Sequence, residues 1–205
     1  MLPITVDLAH VRVILVGDGE AARRRLERLD EAGAALLEVY SANPIPALVA
    51  AAGLRLRGRL PRAPEVAQAQ LVFLADVADP AAAEILRMAR AAGVLVNVED
   101  DPGRSDFYSA SVLRRGDLTV AISTNGKSPA LAALLRRTLE NQLGPEWAAL
   151  VAEIGSLRRG WRKAGADSTA IGRWTTKWVA RNGWFAAPPA KSRPGNQSVH
   201  EVPAG

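Results

Sequence analysis

Apolar positions along this chain follow two alternating rhythms. Residues 11–16 form a short apolar run, Val11-Arg12-Val13-Ile14-Leu15-Val16, which predicts a buried strand. Residues 20–32 then place Ala22, Leu26 and Leu29 on one face, with Arg23, Arg24, Arg25, Glu27 and Arg28 outside. That is an amphipathic helix, and Gly33 stops it. The alternation continues with a strand over 36–40, a short helix opened by Pro44 and ended near Gly53, and an alternating edge strand over 54–57. A buried strand over 71–75 follows. A helix runs from Asp79, its cap, with Pro80 at the first position, to about Ala92, and Gly93 stops it before a strand over 94–98. Strand and helix recur about every 25 residues, which predicts an α/β fold: a Rossmann-like, doubly wound parallel sheet with helices on both faces.

Beyond this first domain the pattern changes. Residues 118–123 read as a strand. Ser128-Pro129 is a strong helix start for residues 129–142, and Gly144-Pro145 breaks that helix. Two more helices are predicted over 146–163 and 170–182, joined by Gly165-Ala166-Asp167-Ser168. Residues 186–205 are mostly Pro, Gly, Ala, Ser and Lys with few large apolar residues, which predicts a disordered tail.

Composition narrows the chemistry. The 205 residues are 48% hydrophobic and 23% charged, a globular balance. There is no cysteine, which excludes disulfides, thiolate catalysis and cysteine-ligated metals; with only His10 and His200, a multi-histidine metal site is excluded too. No apolar run reaches membrane-span length and no signal-peptide pattern opens the chain, so no membrane association and a cytoplasmic location are expected. The net charge of +5 is uneven: residues 1–150 carry 17 basic and 18 acidic side chains, residues 151–205 carry 9 and 3. All five tryptophans, Trp147, Trp161, Trp174, Trp178 and Trp184, fall in or just before that basic part. It suits nucleic acid, a flat polyanionic small molecule, or simply a solvated helical face with tryptophans packed inward.

Three motifs carry chemistry. The first, Gly17-Asp18-Gly19-Glu20-Ala21-Ala22, fits G-x-G-x-x-A between strand and helix. Glycines are needed there because a pyrophosphate must approach the helix-start N–H groups where a Cβ would block it. Gly17, Gly19, Glu20 and Ala21 are the cofactor candidates, with Ser41 and Ala42 past the second strand and Ala75 and Asp76 at the end of the 71–75 strand. Asp18 must point away from the pyrophosphate. No acid ends the second strand to take a ribose hydroxyl; Glu38 lies inside it and Ser41 is the substitute, so NAD against NADP stays open. The second motif, Asn97-Val98-Glu99-Asp100-Asp101-Pro102, sits at a strand's carboxyl end, where a carboxylate can serve as general base and clustered acids raise one another's pKa. The third runs from Arg115 to Ala132, where Lys127, the Ser128 hydroxyl and helix N–H groups can hold an anion.

The glycine turn, the Asn97–Pro102 turn with Asp106-Phe107 after it, and the Arg115–Ala132 stretch occur in an order and spacing that resembles the precorrin-2 dehydrogenase/sirohydrochlorin ferrochelatase family, the N-terminal module of siroheme synthases. The resemblance covers about residues 1–182. It implies oxidation of precorrin-2 with NAD to sirohydrochlorin, insertion of ferrous iron as a substrate in many members, and a homodimer. It also implies a nucleotide-binding domain over 1–112, a dimerisation segment over 113–145, and a helical domain over 146–185 that helps form the tetrapyrrole cleft. Asp100 takes the family's catalytic aspartate position, serving dehydrogenation and chelation. Asn97, Arg115, Lys127 and Ser128 are the substrate-binding candidates, and Ser128 matches a serine that is a phosphorylation site in some members. No stable metal site is expected. Glu99 stands where an apolar residue is usual, Asn125 replaces a glycine, and Ala110 replaces a frequent proline, departures that bear on chelation more than on oxidation. The fused methyltransferase module is expected to be absent, since about 20 residues remain where about 250 would be needed. An alternative is a non-catalytic NAD-sensing module whose basic C-terminal part binds nucleic acid; the acidic turn argues against DNA in the cleft, and no nucleic-acid partner is expected.

Overall fold

The structure is a computed structural model that describes residues 2–184. The expected tail, 186–205, and Phe185 at the end of the expected helical domain lie outside the described residues. The chain divides into two compact units. One holds residues up to Leu113 together with Ala121–Leu139; the other holds Arg114–Val120 and the chain from Glu140 onward.

In the first unit the elements run β1 (Arg12–Val16), α1 (Glu20–Glu31), β2 (Leu36–Tyr40), α2 (Pro46–Ala52), β3 (Leu56–Arg57), α3 (Ala63–Gln68), β4 (Leu71–Leu74), α4 (Asp79–Ala91) and β5 (Leu95–Val98). The five strands pair in parallel in the order β3-β2-β1-β4-β5. This is the Rossmann-like sheet that the sequence predicts. Its central strand shows why: successive β1 side chains go to opposite faces, and both faces are covered. Val13 and Leu15 join Leu26 and Leu29 of α1 and Leu48 of α2 in one core. Ile14 and Val16 join Val66 of α3 and Ile85 and Ala89 of α4 in the other.

Four local expectations change. Helix α2 begins at Pro46 rather than Pro44, because Ile45 is extended and its N–H donates to the Asp18 carbonyl at 2.9 Å. The edge strand shrinks to Leu56–Arg57. Helix α3 was not expected; Glu65 starts it, accepting from the Arg62 N–H at 2.7 Å. Asp79 does not cap α4. It is the first helical residue, Ala78 precedes the helix without a side-chain cap, and the Asp79 carboxylate receives Arg104 at 2.8 Å.

The exposed edge of β5 is covered by its own continuation. The Val96 N–H donates to Asp106 Oδ2 at 2.9 Å, the Asp106 N–H returns to the Val96 carbonyl at 2.8 Å, and the Val98 N–H donates to Ser105 Oγ at 2.9 Å. Phe107 then packs edge-on to Phe73, ring centroids 5.3 Å apart. Arg25 lies in the same region. The amphipathic pattern put it outside, yet it is 7% exposed. It sits four residues from both Ala21 and Leu29, on the buried face of α1. Its guanidinium lies over the Phe73 ring, donates to Ser109 Oγ at 2.5 Å and pairs with Glu99.

After β5 the chain forms a hairpin, β6 (Ser111–Arg115) and β7 (Leu118–Ile122), of which only the second strand was expected; Gly116, at φ +57°, turns it. Helix α5 spans Pro129–Gln142 as predicted. In the second unit α6 (Glu146–Lys163) and α7 (Ser168–Arg181) bury Leu150, Ile171 and Val179. Asp167 caps α7 through the Ala170 N–H at 2.7 Å, which starts that helix two residues earlier than predicted. Trp147 meets Trp184, and Trp161 meets Trp174, edge-to-face at 5.7 and 5.6 Å. Among the described residues no helix is long and apolar enough to cross a membrane.

Removing one member of the Arg25–Glu99 pair leaves a buried charge without its partner. Glu99→Ala should therefore lose about 3 kcal/mol in urea denaturation, and Arg25→Met combined with Glu99→Leu should recover most of it. Strict additivity of the two single changes would show that the pair is not coupled.

Candidate functional site

Strand order reverses between β1 and β4, and in such sheets ligands bind beyond the carboxyl ends of the strands at that point. Gly17 ends β1 there. Its N–H donates to the Tyr40 carbonyl at 3.0 Å, and a Cβ on it would lie 1.8 Å from the Ala75 carbonyl oxygen and 2.8 Å from Ala22 Cβ. No side chain fits. Gly19 differs: a Cβ there would lie 2.5 Å from Asp76 Oδ2, the end of a side chain that can rotate. Asp76 reaches in because Gly19, the residue before α1, has no side chain to cap it; Asp76 Oδ2 accepts the Ala21 N–H at 2.7 Å instead, from a residue held at φ +56°. Glu20, in the first turn, is exposed and held below the usual carboxylate range by its hydrogen bond to Arg23.

The other cofactor candidates divide. Ala42 is exposed just past β2, and Ala75 is buried with its N–H on the Val16 carbonyl at 3.0 Å. Ser41 is fully buried and its hydroxyl donates to Asp18 Oδ1 at 2.5 Å, so in this arrangement it faces Asp18 rather than open solvent. Asp18 points toward β2, away from the start of α1.

Past β5, the acidic turn is not a cluster of free acids. Glu99 pairs with Arg25. Asp101 accepts both the Arg104 guanidinium, at 2.5 Å, and the Arg104 N–H, at 3.2 Å, and the guanidinium holds its carboxyl below the usual range. The expectation that these acids act on one another as a cluster is therefore corrected: two of the three are neutralised by arginines. Asp100 stands between them at φ +58°, exposed, and no side chain or N–H donates to its carboxylate among the described residues. Every other carboxylate at this edge has a donor: Asp18, Asp76, Asp79, Glu99, Asp101 and Asp106. Side chains rarely occupy positive φ outside turns and functional sites, and Asp76, Asp100 and Asn125 are the non-glycine cases among the described residues.

The third motif comes to the same edge. A Cβ on Gly126 would lie 3.8 Å from Pro102 Cγ, so the loop before α5 rests beside the acidic turn. Lys127 is exposed there, and Ser128 caps α5 by accepting the Leu131 N–H at 3.2 Å. Two substrate candidates are engaged elsewhere. The Asn97 amide is buried and donates to the Phe107 carbonyl at 2.9 Å. The Arg115 guanidinium donates to the Leu143 carbonyl at 2.8 Å and the Glu140 carbonyl at 3.4 Å, closing the end of α5. Sequence reasoning missed Arg25 and Arg104; the four-residue spacing from Ala21 and Leu29 was the available signal for the first, and none marked the second. Among the described residues no group of three or more His, Asp or Glu side chains is placed to hold a metal ion.

Residues 4–111 match the family described as putative NAD(P)-binding. The chain belongs to that family. Residues 115–142 match the central part of sirohaem biosynthesis proteins. Relatives include siroheme synthase 1 of Aeromonas salmonicida, 39% identical over 77% of this chain, and siroheme synthase 2 of Serratia proteamaculans, 36% identical over 88% of it. The chain spans 34% and 39% of those two relatives' lengths. In structure it is similar to SirC, precorrin-2 dehydrogenase, with a TM-score of 0.72, 20% identity, and coverage of 91% of this chain and 93% of that one. The residues fit the dinucleotide that the family implies. Gly17 and Gly19 carry no side chain into the approach to α1, and the Asp76 carboxylate inside it hangs on a rotatable side chain.

The two glycines should behave differently. Gly17→Ala drives a methyl into backbone and should cost several kcal/mol or abolish folding. Gly19→Ala meets only Asp76 and should fold, with dinucleotide affinity reduced. Thermal denaturation and calorimetric titration of both variants check this; a stable Gly17→Ala would contradict the close approach.

Proposed function

We propose that this chain is a cytoplasmic, NAD-dependent precorrin-2 dehydrogenase that makes sirohydrochlorin for siroheme biosynthesis. The observation that carries the reading is Asp100, among the described residues the one carboxylate at the carboxyl edge without a donor, on the same edge of the sheet as the glycine turn after β1. The siroheme synthase relatives and the SirC-like fold support it.

When bound, the nicotinamide accepts a hydride. The chain's own residues do the rest. The Gly17–Gly19 turn and the N–H groups of Glu20 and Ala21 would hold the pyrophosphate, with the Asp76 side chain rotated off the Ala21 N–H. Asp100 takes, on a carboxylate oxygen, the proton that leaves precorrin-2. Lys127 and the start of α5 at Ser128 supply positive potential for the substrate's carboxylates beside that turn. Ferrous iron insertion, as a second activity, would draw on the same carboxylate to receive the macrocycle's N–H protons, with iron as substrate. The chain works as a homodimer on this reading: Leu131, Leu134 and Leu135 form an i, i+3, i+4 stripe on α5 that is 47%, 54% and 43% exposed.

Asp100→Asn keeps the shape and removes the base. Single-turnover oxidation of precorrin-2 should slow by about 10²–10⁴ with NAD affinity unchanged. Asp101→Asn, already committed to Arg104, should lose far less. Full activity in Asp100→Asn with an inactive Asp101→Asn would overturn this assignment and place the base at Asp101. For the dimer, Leu131→Lys with Leu134→Lys should shift sedimentation equilibrium to monomer; an unchanged mass would move the interface elsewhere.

A further inference from the structure

The turn after β1 carries an acid at a position where the glycine pattern makes no demand. Asp18 is tied into the loop beyond β2 from two sides. Its Oδ1 accepts from Ser41 Oγ at 2.5 Å and from the Asn43 N–H at 3.0 Å, and its carbonyl accepts from the Ile45 N–H at 2.9 Å. The side chain is half-buried, and Oδ2 has no hydrogen-bond donor among the described residues.

In dinucleotide-binding sheets the carboxylate that favours NAD sits at the end of β2 and accepts from the ribose 2′-hydroxyl; enzymes that take NADP present an arginine to the 2′-phosphate. Here β2 ends at Val39-Tyr40 and runs on through Ser41-Ala42-Asn43, with no acid. Glu38 is engaged by Tyr40 Oη and Arg57, both at 3.0 Å. Of the arginines on and around the neighbouring edge strand, Arg55 pairs with Asp30, Arg57 with Glu38 and Arg59 with Glu65. A 2′-phosphate would therefore meet a carboxylate at this end of the sheet, and the nearby arginines already hold carboxylates of their own.

We infer that Asp18, held against the end of β2 by Ser41 and Asn43, is the residue that selects NAD over NADP. It supplies from the glycine turn the ribose-binding carboxylate that β2 lacks. Oδ1 is fixed by the loop and Oδ2 accepts the 2′-hydroxyl, while a 2′-phosphate is repelled. The inference rests on the dinucleotide reading proposed above.

Direct binding tests it. Titrate NADH and NADPH into the full chain and into Asp18→Asn and Asp18→Ser, following nucleotide fluorescence, with circular dichroism and melting temperature as folding controls. The unaltered protein should prefer NADH by at least about tenfold. Asp18→Asn can still accept from Ser41 and Asn43 but carries no charge, so NADPH should gain and the preference should narrow to within about threefold. Asp18→Ser, which loses the loop contacts as well, should also weaken NADH about tenfold. A preference for NADPH in the unaltered protein overturns the inference. So does an NADH:NADPH ratio that both variants leave unchanged. If neither nucleotide binds the unaltered protein, the dinucleotide reading itself falls.

Discussion

A Cβ on Gly17 would lie 1.8 Å from the Ala75 carbonyl oxygen, so the chain leaving β1 passes β4 at a distance only a hydrogen atom allows. The consequences spread from there. Gly17 stays bonded to the Tyr40 carbonyl of β2 while Ala75 bonds to Val16, so three strand ends are tied at one place. The chain must then turn at once into α1, whose first N–H groups open at the point where the strand order reverses. Gly19 leaves room above them, and Asp76 reaches across 55 residues of sequence to cap Ala21. The contact serves the empty helix end and must yield to an anion. A helix capped from within by Ser or Thr would keep that contact and offer a ligand less.

The second fixed point is the edge of β5. An edge strand presents unpaired N–H and carbonyl groups. Asp106 and Ser105 answer them, and Arg104 locks the start of the same segment to Asp101 and Asp79. Asp100 therefore sits in a turn braced on both sides. That bracing sustains its left-handed backbone, which an acid tolerates better than a branched residue would. Asn97 takes part in this bracing by donating its amide to the Phe107 carbonyl.

The parallel sheet, its alternation of strand and helix, and the turn after β1 were legible in the sequence because each depends on local rhythm: apolar runs for strands, the Ala22-Leu26-Leu29 spacing for α1, glycines 17 and 19 for the turn. What was not legible depends on partners far along the chain. Arg25 reads as a surface residue until Glu99, 74 positions on, gives it a counter-charge. Asp79 looks like a cap until Arg104 claims it. Ser41 suits a ribose until Asp18 takes its hydroxyl, and Arg115 suits a carboxylate until the end of α5 does. Helix α3 is six residues long and rests on one acid, Glu65, pulled to a pKa of about 2 by Arg59 and the Arg62 N–H; so short a segment leaves little periodicity to read.

On the proposed function, the pairing of the acids also reconciles a polyanionic substrate with an acidic turn. Three adjacent carboxylates would repel a polyanion: at about 8 Å each unit charge costs about 0.5–2 kcal/mol for effective dielectrics between water and a protein surface. Arg25 and Arg104 cancel two of the three, leaving the turn with the single charge of Asp100. Arg25 and Glu99 belong together in this respect. An apolar residue at position 99 would remove one negative charge and strand one positive charge in the core, whereas the pair adds nothing to the local field. On the proposed function, a base could then act beside a substrate rich in carboxylates because its neighbours are electrically silent, and Lys127 on the adjoining loop would add charge of the opposite sign there.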